Sequence, residues 1–113
     1  MANWNNVCLA GNLTADPELT YTSNGTAVCN FALAINKKAG EKEYTTFVRC
    51  KMFGKGAEVL AKYLTKGKNL LVSGELQEDR WITEAGQKCS RLDVVVKDFQ
   101  FLGSKSESAP EDF

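Results

Sequence analysis

Residues 45 to 67 read TTFVRCKMFGKGAEVLAKYLTKG, and two periodicities meet inside that stretch. From Thr45 to Lys55 the side chains alternate. Phe47, Arg49, Lys51, Phe53 and Lys55 hold the odd positions, and Val48, Cys50 and Met52 hold the even ones. Successive strand residues point to opposite sides of a sheet, so this is a strand with a uniformly apolar inner face. At Gly56 the period changes. Val59, Leu60, Tyr63 and Leu64 fall at helical spacing, and Gly67, after Lys66, stands where a C′ glycine ends a helix. The pattern predicts one helix of about ten residues.

Upstream of this stretch the chain reads as strands. Val7–Leu13 alternates, with Gly11 at a bulge or sharp bend, and Asp16-Pro17 breaks the run. Glu18–Tyr21 is extended, and Asn24-Gly25 supplies a hairpin turn. Ala27–Asn36 follows as a strand with Cys29, Phe31, Leu33 and Ile35 toward the core. Lys37 to Glu43 is so charged that it reads as a hairpin loop before the strand Tyr44–Phe53. Downstream, Asn69–Leu76 is a strand, and the charged stretch Gln77–Arg80 leads into Trp81-Ile82-Thr83. Glu84 to Gln87 then turns the chain, and Ser90–Val96 and Asp98–Leu102 complete the set.

One short helix cannot cover a flat sheet of this size, and closing the sheet on itself removes its edges. The expected fold is therefore all-β. It is a five-stranded Greek-key barrel of the OB type, with one short helix between strands 3 and 4 that plugs one end. An open α+β sandwich is the competing arrangement. Residues 1–103 form this domain. Residues 104–113 turn to Ser, Lys, Glu and a single Pro and read as a short, disordered acidic tail.

Composition narrows the function. At 113 residues there is material for one domain. No apolar run is long enough to span a membrane, and the N-terminus lacks the features of a signal peptide, so a cytoplasmic location is expected. The chain has no histidine and four scattered cysteines, Cys8, Cys29, Cys50 and Cys89, without a C-x-x-C pair. That pattern suits reduced, mostly buried thiols rather than a metal site. No nucleophile–base pair or Gly-rich phosphate loop is present either. The reading is of a non-enzyme that needs no cofactor. Net charge is zero, but Ser106–Phe113 holds three of the 14 acidic residues and no base, leaving 14 basic against 11 acidic residues in the body. A mildly basic body with an acidic tip suits a nucleic-acid-binding domain.

The odd-numbered face of the 45–55 strand carries the chemistry. Single-strand binding needs aromatic faces for bases and cations along the phosphates between them. Phe47, Arg49, Lys51, Phe53 and Lys55 interleave both kinds on one side. Exposed phenylalanines are otherwise costly for solubility, and the alternative use for them is contact with another subunit. Arg80-Trp81, at the tip of the next hairpin, repeats the pairing of a π-face with a cation. Packing of Trp81 onto its own hairpin is the equal alternative.

Asn5-Asn6-Val7-x-Leu9-x-Gly11-Asn12-Leu13-x-x-Asp16-Pro17-Glu18-x-x-Tyr21 closely resembles the opening of bacterial-type single-stranded DNA-binding proteins. The resemblance continues through Asn24-Gly25-x-Ala27-Val28, Phe53-Gly54-Lys55-x-Ala57-Glu58, Tyr63-Leu64-x-Lys66-Gly67 and Gly86-Gln87, covering residues 3 to 102 in order. It implies an OB fold that assembles as a homotetramer and takes single strands over its surface. It matches Phe47, Phe53 and Trp81 to base-stacking positions, and Arg49, Lys55 and Lys66 to basic ones. Replication, recombination and repair are the processes implied. Three features depart from the family pattern: a shorter loop between strands 2 and 3, Ala39 where a stacking tryptophan can occur, and Glu78 and Asp79 in a hairpin that is usually more basic. They imply weaker binding or a smaller site. The terminal Pro110, Glu111, Asp112 and Phe113 keep acid-plus-phenylalanine chemistry suited to a basic, apolar pocket on a replication or repair partner. An OB adaptor of primosome or recombination type, and an RNA-binding OB module, are the alternative functions.

Overall fold

Val7–Leu13 forms β1, which serves two neighbours in turn. Its first six residues pair antiparallel with β5 (Asn69–Ile82), while Asn12 and Leu13 pair with β3 (Ala27–Ala39). Asn12 pairs with both, and Gly11 stands just before it. A Cβ at Gly11 would lie 2.7 Å from the Ala34 carbonyl oxygen, so only glycine permits the approach. The β1–β5 register runs unbroken through Gly11, so the bulge expected there is absent. The β-bulge of this barrel lies elsewhere, at Ser73/Gly74 of β5. The computed structural model describes residues 2–102.

The remaining elements are β2 (Glu18–Tyr21), β4 (Lys42–Phe53), α1 (Lys55–Tyr63) and β6 (Lys88–Phe101). The order β1-β5-β6-β4-β3, with β3 returning to β1, closes a five-stranded barrel, and β2 hangs outside on β3. The β4–β6 contact is parallel and joins Cys50 to Val94 and Lys51 to Val95; the others are antiparallel. This is the OB barrel. Because Glu18–Tyr21 is a strand of its own, α1 follows the fourth strand in chain order, although it still follows the third strand of the barrel.

Three local expectations are corrected. Lys37–Glu43 is not a loop: β3 and β4 pair out to Ala39 and Lys42, and only Gly40-Glu41 turns. Two-residue turns match the twist of paired strands, so charge in the arms does not stop the ladder. β5 and β6 form a second long arm, paired from the barrel out to Ile82 and Lys88. Lys55 is not on the β4 face. Gly54 has φ 83°, which breaks the strand, and Lys55 opens α1.

The helix buries a face different from the expected one. Ala57 and Leu60 are buried within it, and Leu64 just after it, whereas Val59 and Tyr63 are exposed. A Cβ at Gly56 would overlap the Met52 side chain, so the first turn sits almost on the end of β4. Small residues are needed at that distance, and they displace the bulkier Val59 and Tyr63 to the outside. Gly67 is not the C′ residue either. The helix ends at Leu64, and Gly67 donates its N–H to the Leu13 carbonyl at 2.9 Å.

The barrel interior is filled by most of the set the alternation named; Ile35, expected with it, is only partly buried and lies beside Gly11. Cys29, Phe31 and Leu33 of β3 and Cys50 and Met52 of β4 pack with Leu60, Leu70, Val72, Val94 and Val96. Burial lifts the Cys29 thiol to about 11. Burial, helped by the negative charge of Asp93, lifts Cys50 to about 12.

Candidate nucleic-acid interface

With Cys50 and Met52 turned inward, the odd residues of β4 face out. Phe47 is 68% exposed and Phe53 45%. Across from them on β3, Ala34 faces Phe47, Ala32 faces Arg49 and Asn30 faces Lys51, all small or polar, while the buried Val28 faces Phe53. The two rings are six residues apart, about 20 Å along a strand. Between them is a low floor over which flat groups can lie on the ring faces. A groove of about 330 Å³ borders it, with Asn30, Ala32, Arg49, Asp93, Asp16 and Glu18 in its lining.

The cations on this face are not equally available. Arg49 is largely exposed, with Nε 3.7 Å from Asp93. Lys51 is not open to solvent. Its side chain is only 17% exposed, and Nζ donates to Asp79 at 3.2 Å. That hydrogen bond is the main reason the Asp79 carboxyl titrates below the usual range. Asp93 is 4% exposed and lies near Arg49, Lys51 and Arg91, the last with Nε at 3.2 Å. Lys55 and Lys66 are exposed and make no ion pair among the described residues. Lys55 continues from Phe53 at the helix start. Lys66 sits beside the groove, because its backbone N–H is held at 2.8 Å by Asp16.

The β5–β6 arm carries Trp81, 43% exposed. Alternation puts Arg80 on the reverse side of the arm, where Glu78 Oε1 receives it at 2.8 Å. The cation beside Trp81 is Arg91, with its guanidinium carbon 5.5 Å from the ring centroid. Arg91 lies directly opposite Asp79 across the ladder, one diagonal step from the Trp81–Cys89 pair. Sequence reasoning missed Arg91 and Asp93 because pairing register, not local spacing, brings them to the aromatic face. The terminal residues Pro110, Glu111, Asp112 and Phe113 lie outside the described residues.

Trp4 is 90% exposed and borders β5. The Asn5 side-chain amide both donates to the Leu76 carbonyl and accepts from its N–H, each at 2.9 Å, and so imitates a strand rung. That fastens the segment carrying Trp4. Among the described residues no cluster of His, Cys, Asp or Glu could hold a metal ion, and no helix is long and apolar enough to cross a membrane.

A closed OB barrel with separated aromatic rings and cations on its outer β3–β4 face defines the class of OB domains built for unpaired nucleic-acid strands. The chain belongs to the single-strand binding protein family, whose sequence model it matches over residues 4–102. It is 44% identical to the single-stranded DNA-binding protein of Treponema pallidum, over 92% of this chain and 61% of that one. The protein of the same name from Clostridium perfringens is 41% identical, over 93% and 70%. The one from Enterococcus faecalis is 41% identical, over 92% and 57%. The chain thus spans less than two thirds of the length of two of these three relatives.

Proposed function

We propose that this protein binds single-stranded DNA without sequence preference and shields it during replication, recombination and repair, with no catalytic step of its own. The observation that carries the reading is the outer face of β4. Two exposed rings, Phe47 and Phe53, bracket Arg49 and Lys51 over a floor of small residues. Family membership and the names of the relatives support DNA as the ligand. Bases stack on Phe47, Phe53 and Trp81, and any base qualifies because every base has a π-face. Arg49, Lys55 and Lys66 meet phosphates directly. Lys51 does so by exchanging its bond to Asp79, and Arg80 contributes from the far side of the arm. Assembly as a homotetramer, action in the cytoplasm, and recruitment of replication and repair proteins through Phe113 are extensions of the same proposal.

The test is tryptophan fluorescence during titration with oligo-dT, against duplex DNA and a matched RNA oligomer. Quenching by the single strand, lost in Trp81→Phe and kept in Trp4→Phe, is the expected result. Binding should weaken with salt by about 0.7 log units per phosphate contact for each log unit of salt. Equal response to duplex, or none to oligo-dT at low salt, would overturn the reading and favour a protein adaptor.

A further inference from the structure

The neighbourhood of Trp81 holds a cation that neither the sequence pattern nor the face of β4 announces. Arg91 has its guanidinium over the indole at 5.5 Å and its Nε 3.2 Å from Asp93 Oδ1. Its terminal Nη2 stands 3.8 Å from Asp79 Oδ2. These contacts differ in kind. Asp93 is buried, and its Oδ1 lacks any hydrogen bond of good geometry, so it cannot release its surrounding cations without a large desolvation cost. Asp79 is a third exposed and solvated, so it can be exchanged. Arg91 is therefore anchored at Nε and exchangeable at its outer edge. A guanidinium held in that way presents two parallel N–H donors to an incoming oxyanion. The local charge also asks for one. Arg49, Lys51 and Arg91 are three cations around two carboxylates, Asp79 and Asp93.

We propose that Arg91 is a single-strand contact, pairing the phosphate beside the base stacked on Trp81, and that Asp79 restrains it by occupying the phosphate's place in the free protein. The proposal rests on the single-strand reading above and adds the residue that completes the Trp81 subsite. Binding exchanges the carboxylate of Asp79 for a phosphate at both Arg91 and Lys51. Arg80, tied to Glu78 on the reverse side, does not take this role. Removing the restraint strengthens binding, and removing Arg91 weakens it.

The experiment measures affinity for a dye-labelled oligo-dT by anisotropy, which does not depend on tryptophan, across a salt series. Wild type, Arg91→Ala, Arg91→Lys, Arg80→Ala and Asp79→Asn are compared in the full chain. Arg91→Ala should lose about tenfold in affinity, as expected for a charge-assisted hydrogen-bonding pair. Its salt slope should fall by about 0.7, one phosphate's worth. Arg91→Lys keeps the charge but not the fork, so it should lose a few-fold with the slope kept. Arg80→Ala should lose less than Arg91→Ala, and Asp79→Asn should bind more tightly. Arg91→Ala also strips Asp93 of a partner, so Asp79→Asn is the arm that leaves the buried carboxylate alone. Wild-type binding with Arg91→Ala no weaker than Arg80→Ala, or with Asp79→Asn no tighter than wild type, overturns this proposal and leaves the single-strand reading standing. Failure of the wild type to bind at all overturns both.

Discussion

Phe47 is the residue on which function and stability separate most cleanly. Its ring is exposed and lies across from Ala34, so folding gains little from it. Stacking on such a ring is worth about 1–3 kcal/mol per base. Phe47→Ala should therefore weaken oligo-dT binding by roughly tenfold or more, while moving the thermal midpoint within the scatter of ordinary surface substitutions, below about 0.5 kcal/mol. A matched fall in stability would show that the ring is a packing residue. Phe53 and Trp81 are half-covered, so their truncation mixes the two effects. The outward placement of Phe47 was legible from alternation alone, because β4 is regular from Lys42 to Phe53. That of Lys55 was not, because a single glycine with positive φ ended the strand one residue too early.

At the scale of the element, α1 separates hydrophobicity from burial. The run 59–64 offers Val59, Leu60, Tyr63 and Leu64 as an apolar stripe, yet the helix rests on Ala57, Leu60 and Leu64. Leu60→Ala should cost about 2–5 kcal/mol, the range for a fully buried leucine. Val59→Ala should cost little, because alanine has the higher helix propensity. Chemical denaturation of the two variants checks this, and equal losses would return Val59 to the core face. Tyr63 instead sets its ring edge-on to Phe101 at 6.2 Å, outside the barrel. The arms make a similar point: charge along Lys37–Glu43 resembles a loop, but a two-residue turn and cross-strand pairing keep it extended.

Across the whole molecule, closing the barrel buries two thiols. Unfolded thiols ionise near 9.0, whereas Cys29 and Cys50 in the folded protein are pushed up to about 11 and about 12. Because the folded values are the higher ones, the unfolded chain releases these protons first. The thiols' contribution to stability is intact below pH 9 and is lost as pH rises from 9 toward 11 and 12. Each thiol contributes a slope of about 1.4 kcal/mol per pH unit across that window. Melting curves between pH 7 and 10.5 should show the decline steepen above 9, and Cys29→Ala and Cys50→Ala should each flatten it. An unchanged slope in both would mean that other groups set the alkaline limit. Cys8 and Cys89 are not buried, so they should react with a thiol reagent in the native state while the inner pair waits for unfolding.

The sequence by itself determined the two faces of β4 and of β3 as far as Leu33, the position of α1 and the aromatic–cationic row of β4 from Phe47 to Phe53. Each follows from spacing within a single element, where backbone geometry dictates which side chains share a side. Its motifs also carried the family resemblance. Only the tertiary structure decided that Arg91 lies over Trp81, that Asp79 and Asp93 hold the cations of the binding face, and that Arg80 turns away. Those contacts join residues from β4, β5 and β6, whose relative register depends on the bulge at Ser73/Gly74 and on the parallel β4–β6 closure. Register is a property of pairs of strands, so no periodicity read along one strand contains it.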